Sequence, residues 1–360
     1  MRRSRLKRSR GWLLGALLAA LAPAGFARSA GAAPPAPAVA TAPVTAPSTA
    51  ANAMAARGGG EPASSTTPAG QPGAAPTPPI PQVVVETTEP RYVAPTSRDR
   101  IGRIWAPVLI DGKGPFRLVL DTGASHSAII GRVAQALGDT DPAAMTQTRV
   151  TGFTGSAIVP TVTVERMQVG DIDISPYTLP VVPDVFGGAQ GVLGYETLGD
   201  KRIYADFGRD KLTIARSHGD RVPYGFDKVP LKLIEGGLLV ADIRVGGVRT
   251  QAIIDTGAQG SVGNLALLDA LMRHPPANAE HAEIMGVTLA VQTGDNVPAP
   301  PIQMGTLTIQ GVHIVFGDMY LFQHWEMTKR PTMVLGMDLL GSFQVLILDY
   351  RTREMMIQLR

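Results

Sequence analysis

Val119-Leu120-Asp121-Thr122-Gly123-Ala124 and Ile253-Ile254-Asp255-Thr256-Gly257-Ala258 are two copies of one motif, set 134 residues apart in a chain of 360. Each copy reads as a short apolar strand that ends in a carboxylate and then turns. In the first, Phe116 to Leu120 is apolar except for Arg117. Gly123 permits a tight reversal, and Thr122 supplies a short hydroxyl for a local or cross-lobe hydrogen bond.

Working outward, a second block recurs: Val192-Leu193-Gly194 matches Val334-Leu335-Gly336 at an offset of 142. A third, Ala205-Asp206-Phe207, matches Leu348-Asp349-Tyr350 at 143. The order is the same in both halves, and one longer loop in the second half accounts for the growth in offset. Two copies are too few for a solenoid, so the pattern predicts a duplicated lobe. Between the copies, short β-rich runs such as Ile104 to Ile110 are punctuated by Gly, Asp and Pro. Asp111-Gly112 and Gly246-Gly247 suit hairpin reversals. Helical periodicity is confined to Arg132–Leu137 and Leu265–Met272.

One buried carboxylate is a chemical liability, because desolvation drives it neutral. Two that face each other cannot both ionise cheaply, so they hold one proton and titrate as a unit. The ionised member can then take a proton from water while the protonated member stabilises a developing oxyanion. Such a device needs neither metal nor covalent nucleophile. It suits a chain with no Cys, no His-Glu-x-x-His and six scattered histidines.

Asp-Thr-Gly-Ala followed about seventy residues later by two hydrophobic residues and Gly resembles the signature of retropepsin-like aspartic proteases. Arg103-Ile104-Trp105-Ala106-Pro107 through Gly114-Pro115-Phe116 is similar to bacterial periplasmic members. The resemblance spans residues 98 to 360. It implies an all-β, acid-protease fold: two similar closed β-barrel lobes related by a pseudo-two-fold axis, with a hairpin flap over the substrate. It gives Asp121 and Asp255 the catalytic roles, Thr122 and Thr256 the cross-lobe hydrogen bonds, and Gly123 and Gly257 the loop geometry. Ala124 and Ala258 complete the two loops, and Val192–Gly194 and Val334–Gly336 pack behind them. Viral members carry one copy and dimerise; this chain carries both, so a monomer can complete the site.

The implied activity is an aspartic endopeptidase acting on extended protein or peptide substrates, with no cofactor beyond water. The alternative is a non-catalytic periplasmic peptide-binding or scaffolding protein of the same fold. Two departures stand out. Pepsins follow Asp-Thr-Gly with Ser or Thr, whereas Ala124 and Ala258 lack that hydroxyl, which predicts a dyad that titrates higher and works nearer neutral pH. The best flap candidate, Val150 to Val162 around Gly152, Phe153 and Gly155, lacks the tyrosine of pepsin-like flaps. Ile284 to Val291 is its counterpart in the second lobe.

The amino terminus carries six Arg and Lys before an apolar run from Trp12 to about Ala22, then small residues. This is a signal-peptide pattern, shorter than a bilayer span, and it predicts export to a periplasm with no stable membrane insertion after cleavage; the weaker alternative is a retained signal that tethers the protein to the membrane. The formal charge of +3 misleads. Residues 1–28 hold seven of the 33 basic side chains and no acid, leaving 26 against 30 acids, so nucleic acid is not an expected partner. Residues 1–32 are read as the signal and 33–82 as an Ala/Pro/Thr-rich disordered linker. Lobe one is placed at 83–216, a connection at 217–226, and lobe two at 227–360.

Ser125-His126-Ser127 does not suit a serine hydrolase, since the second copy has Gln259-Gly260-Ser261 and no Gly-x-Ser-x-Gly elbow exists. Ser127 and Ser261, each six residues after an Asp, read instead as loop-stabilising hydroxyls. His274, His281, His313 and His324 lack ligand spacing and a carboxylate at a telling distance. Glycan hydrolysis by paired carboxylates is disfavoured by an aromatic content of 5%.

Overall fold

The computed structural model describes residues 102–360 apart from 140, 176, 210 and 273–278. It also describes four short strand segments: Trp12–Leu13, Leu17–Leu18, Arg91–Pro95 and Ser97–Arg98. Apart from these segments, the expected signal peptide and linker lie outside the described residues, as does His274.

Apolar runs pair into strands as their patterning demands. Ile104–Ile110 and Lys113–Leu120 form a hairpin across Asp111-Gly112, and Leu239–Val245 and Val248–Ile254 form its counterpart across Gly246-Gly247. Both turns hold both central residues at positive φ: 48° and 72° in the first, 54° and 85° in the second. That backbone matches the twist of a two-residue hairpin.

The duplication is visible strand by strand. In the first half the pairing order runs Gln147–Thr151, Ser156–Val164, Tyr177–Val182, Ala128–Ile130, Gly191–Leu193, Lys113–Leu120, Ile104–Ile110, Met167–Val169, Ile172–Ile174. The second half repeats it with Glu280–Gly286, Val291–Pro298, His313–Phe316, Val262–Gly263, Thr332–Leu335, Val248–Ile254 and Leu239–Val245, the last of which pairs Ile302–Met304 and through it Leu307–Ile309. The two short helices read from periodicity are present, as Gly131–Leu137 and Leu265–Leu271. Tyr195–Leu198, Tyr320–His324 and Met337–Leu340 add further short helical turns.

The expected closed barrels are not found. Each half's pairing path has two free ends among the described residues, so the fold is mostly β with open sheets. The reason lies in where the last strands of the first half go. Lys201–Asp206 pairs with Val345–Asp349, setting Ile203 opposite Leu348 and Ala205 opposite Leu346. The third repeated block thus meets its own copy, and Lys211–Arg216 and Arg91–Pro95 extend that shared sheet. Strands that would have closed one lobe instead tie it to the other.

Candidate active site

Each Asp-Thr-Gly loop leaves a strand that is buried on both faces. Leu118, Val119 and Leu120 are fully buried, as are Ala252 and Ile254. The apolar-Gly blocks lie parallel to these strands, with Val192 opposite Val119 and Val334 opposite Ile253. Their carbonyls then hold the loops: Asp121 N–H donates to Leu193 O at 3.0 Å, and Asp255 N–H to Leu335 O at 3.0 Å.

The loops meet across a near-symmetric set of bonds. Thr122 Oγ1 donates to Ile254 O at 2.7 Å and accepts from Thr256 N–H at 3.1 Å. Reciprocally, Thr256 Oγ1 donates to Leu120 O at 2.7 Å and accepts from Thr122 N–H at 3.2 Å. These buried bonds satisfy backbone groups that the turn would otherwise orphan. They also fix the separation of the two carboxyls. Gly123 N–H donates to Asp121 Oδ1 at 2.9 Å, and Gly257 and Ala258 N–H donate to Asp255 Oδ1 at 2.9 and 3.0 Å. A Cβ at Gly123 would overlap the Asp255 carboxyl, and one at Gly257 the Asp121 carboxyl. Only a residue without a side chain lets each loop pass under the opposite acid.

Burial dominates the electrostatics. Asp121 and Asp255 are 0% and 3% exposed. Desolvation pushes Asp121 up to about 6, against the pull of the Gly123 amide, a hydrogen bond with Asp255 and the positive charge of Arg103. Desolvation also raises Asp255 well above the carboxylate range, and the charge of Asp121 adds to it. Facing carboxyls with both titrations raised hold one proton between them near neutral pH. The Tyr350 phenol is buried nearby and held neutral by its desolvation and by these acids.

Comparison with protein families matches the aspartyl protease model at residues 106–197 and 241–339, more than half of the chain, with one Asp-Thr-Gly loop in each matched segment. The chain belongs to the aspartyl protease family. The match over two segments agrees with a two-lobed, retropepsin-like member. No curated protein matches the chain.

In this family member the Asp-Thr-Gly loops are backed by two acids that motif reading missed, half-buried Glu196 and Asp338 with its carboxylate turned onto Ser261. Glu196 Oε1 accepts from Ser127 N–H at 2.8 Å and from its hydroxyl, while Gly194 N–H donates to Ser127 Oγ at 3.0 Å. Asp338, Ser261 and Gly336 repeat the arrangement at 2.8 to 3.1 Å. The signal was available: an acid stands two residues after the Gly of each apolar-Gly block. Burial raises both Glu196 and Asp338 above the ordinary range. Ser127 thus bonds to an acid behind the loop, while His126 Nδ1 lies 2.9 Å from Ser125 O and burial lowers the ring to about 4.

Both flap candidates are hairpins, and their tips interlock. Thr154 Oγ1 donates to Ala290 O at 2.6 Å and accepts from Gly286 N–H at 3.0 Å. Phe153, fully buried, crosses from the first half into a cluster with Leu238, Ala258, Leu321 and Phe322 of the second. Its ring meets that of Phe322 edge-on at 5.7 Å. The tip thereby buries an aromatic in the opposite half and ties the two hairpins together by apolar contact.

One histidine expectation is corrected. His281 does have a carboxylate neighbour, Asp295 at 2.9 Å, because the two sit opposite each other in the second hairpin. Among the described residues no group of three or more His, Asp or Glu gathers as a metal site would require. No helix among them is long and apolar enough to cross a membrane.

Proposed function

We propose that this chain is an exported aspartic endopeptidase in which Asp121 and Asp255 activate one water between them. The observation that carries the reading is the pair of buried, facing carboxyls with raised titrations, each delivered by its own Asp-Thr-Gly loop. The ionised carboxylate takes a proton from water as its oxygen bonds to the scissile carbonyl carbon, and the protonated carboxyl gives its proton to the carbonyl oxygen. Collapse of the tetrahedral species returns one hydroxyl proton to the dyad. The other dyad proton passes to the departing amine as the C–N bond breaks. The dyad ends as it began, with one proton.

Thr122 and Thr256 lie on the pseudo-two-fold axis of this reading and keep the carboxyls in register. The substrate lies extended between the hairpins, held by backbone bonds with side chains in pockets. Support comes from the chain itself: Trp12–Leu13 pairs parallel to Val150–Thr151, and Leu17–Leu18 pairs antiparallel to Met285–Gly286. Both hairpin edges therefore accept an extended backbone. The basic, apolar amino terminus supports export to the periplasm, and absence of cysteine fits stability that rests on packing alone. Lobes at 83–216 and 227–360, joined by 217–226, complete the proposal.

Incubation of a denatured protein with the wild type between pH 3 and 8 is expected to yield peptides with new amino termini. Asp121→Asn and Asp255→Asn are expected to yield none. Equal cleavage by all three removes the dyad from the reaction, and none by the wild type leaves a peptide-binding protein as the reading.

A further inference from the structure

Asp121 and Asp255 are related by a repeat, yet their surroundings differ by one full charge. Arg103 is completely buried, the bulkiest side chain so hidden. It precedes the strand Ile104–Ile110 and reaches across to the other half, where Nη1 donates to Gly257 O at 3.4 Å. Its guanidinium also stacks 5.9 Å from the centre of the Phe186 ring. A planar cation pinned between a carbonyl and an aromatic face has little freedom to move away.

The strand register identifies what the second half holds at the same place. Trp105 lies opposite Val119, and Val240 lies opposite Ile253, the repeat partner of Val119. Arg103, two residues before Trp105, therefore corresponds to Leu238, two residues before Val240. Leu238 is buried and apolar. The loop amides do not favour an Asp121 anion: Gly123 N–H donates to the Asp121 carboxyl, whereas Gly257 and Ala258 N–H both donate to that of Asp255, so a preference for Asp121 must come from elsewhere. The acids behind the loops are matched, Glu196 on Ser127 and Asp338 on Ser261, and the buried Tyr350 phenol feels both members of the dyad. Arg103 is a buried cation on the first side where the second has the apolar Leu238.

We propose that Arg103 is a positioning residue that decides the division of labour in the dyad: its buried charge keeps Asp121 as the anionic base and leaves the shared proton on Asp255. The inference rests on the endopeptidase reading and adds a direction to it. Gly257, whose carbonyl Arg103 holds, packs directly against the Asp121 carboxyl, which places the cation where it attracts that carboxylate, consistent with the downward pull already noted. The same contact with Gly257 O ties this charge to the loop that carries the other acid, so charge and geometry are set together.

Two substitutions separate charge from contact. Arg103→Gln keeps an amide donor for Gly257 O and removes the charge; Arg103→Lys keeps the charge and loses the fork. In kcat/KM against pH on a peptide substrate, Gln is expected to move the ascending limb up by about one pH unit or more, and Lys to leave it within about 0.3 unit of wild type. A folded Gln variant whose limb stays at the wild-type position overturns the proposal, even if its kcat falls. Should Gln fail to fold, carboxyl 13C titration of the wild type decides, with resonances assigned from Asp121→Asn and Asp255→Asn. An Asp121 anion beside a protonated Asp255 supports it; the reverse order overturns it. Absence of any cleavage by wild type would instead remove the endopeptidase reading itself.

Discussion

Asp255→Asn is expected to abolish peptide cleavage and, at pH 7, to melt several degrees above the wild type. The two effects share one cause. Asp255 is buried, and its titration is raised well above the ordinary range, first by desolvation and then by Asp121. An acid raised in the folded state contributes fully below its unfolded pKa, and that contribution is lost as pH climbs towards the folded value. Folding at neutral pH must therefore take up a proton, at about 1.4 kcal/mol per pH unit of that interval. Asn carries its donor without that requirement. Its carbonyl can still accept from Gly257 and Ala258 N–H, and its NH2 can donate towards Asp121. A domain of this size gains roughly 2–4 °C per kcal/mol. The difference between variant and wild type should shrink as pH falls to 4. Cleavage should fall by a factor on the order of 10⁴, because Asn has no proton to give the carbonyl oxygen. Thermal melts at pH 4 and 7 check the stability half. A variant that melts no higher at pH 7 contradicts the assignment of the shared proton. Asp121→Asn should gain less, since it leaves the buried Arg103 charge without its anion.

Gly257→Ala is expected to lower kcat/KM by at least about 100-fold, although it adds one methyl group. That methyl would overlap the Asp121 carboxyl, so either the loop or the acid must shift, and misplacement of a catalytic group by about 1 Å is enough for such a loss. Gly257 is not at a positive φ, so the effect is one of space and not of backbone strain. Gly131→Ala makes the matched control: a Cβ there meets nothing within 4 Å, and activity should be unchanged. Steady-state kinetics on one peptide suffices. Wild-type rates in Gly257→Ala would mean that the loops do not approach as closely as the carboxyls require.

Much of this was legible in the chain because duplication writes its evidence twice. The Asp-Thr-Gly loops, the apolar-Gly blocks behind them and both hairpins follow from local patterning and repeat order. The joining of both halves through Lys201–Asp206 and Val345–Asp349 was not legible, because edge pairing between distant strands leaves no periodic mark and a lobe read in isolation closes on itself. Arg103 stood in a stretch read for its family likeness, and its role left no mark for a similar reason. Its partner carbonyl is 154 residues away, and a lone Arg before a strand carries no motif. Phe153 looked like a hairpin tip, where exposure is the ordinary expectation; its burial depends on a pocket built by Leu321 and Phe322 of the other half. Glu196 and Asp338 could have been found, had the two halves been compared beyond the Gly of each block.

The wild-type profile of kcat/KM between pH 3 and 9 tests the central claim most directly. Two carboxyls buried against each other, with Asp121 near 6 and Asp255 well above its ordinary range, predict activity that rises through about pH 6 and persists towards neutrality. An optimum well below pH 4, where solvated and independent carboxyls would titrate, would contradict a buried pair that shares one proton.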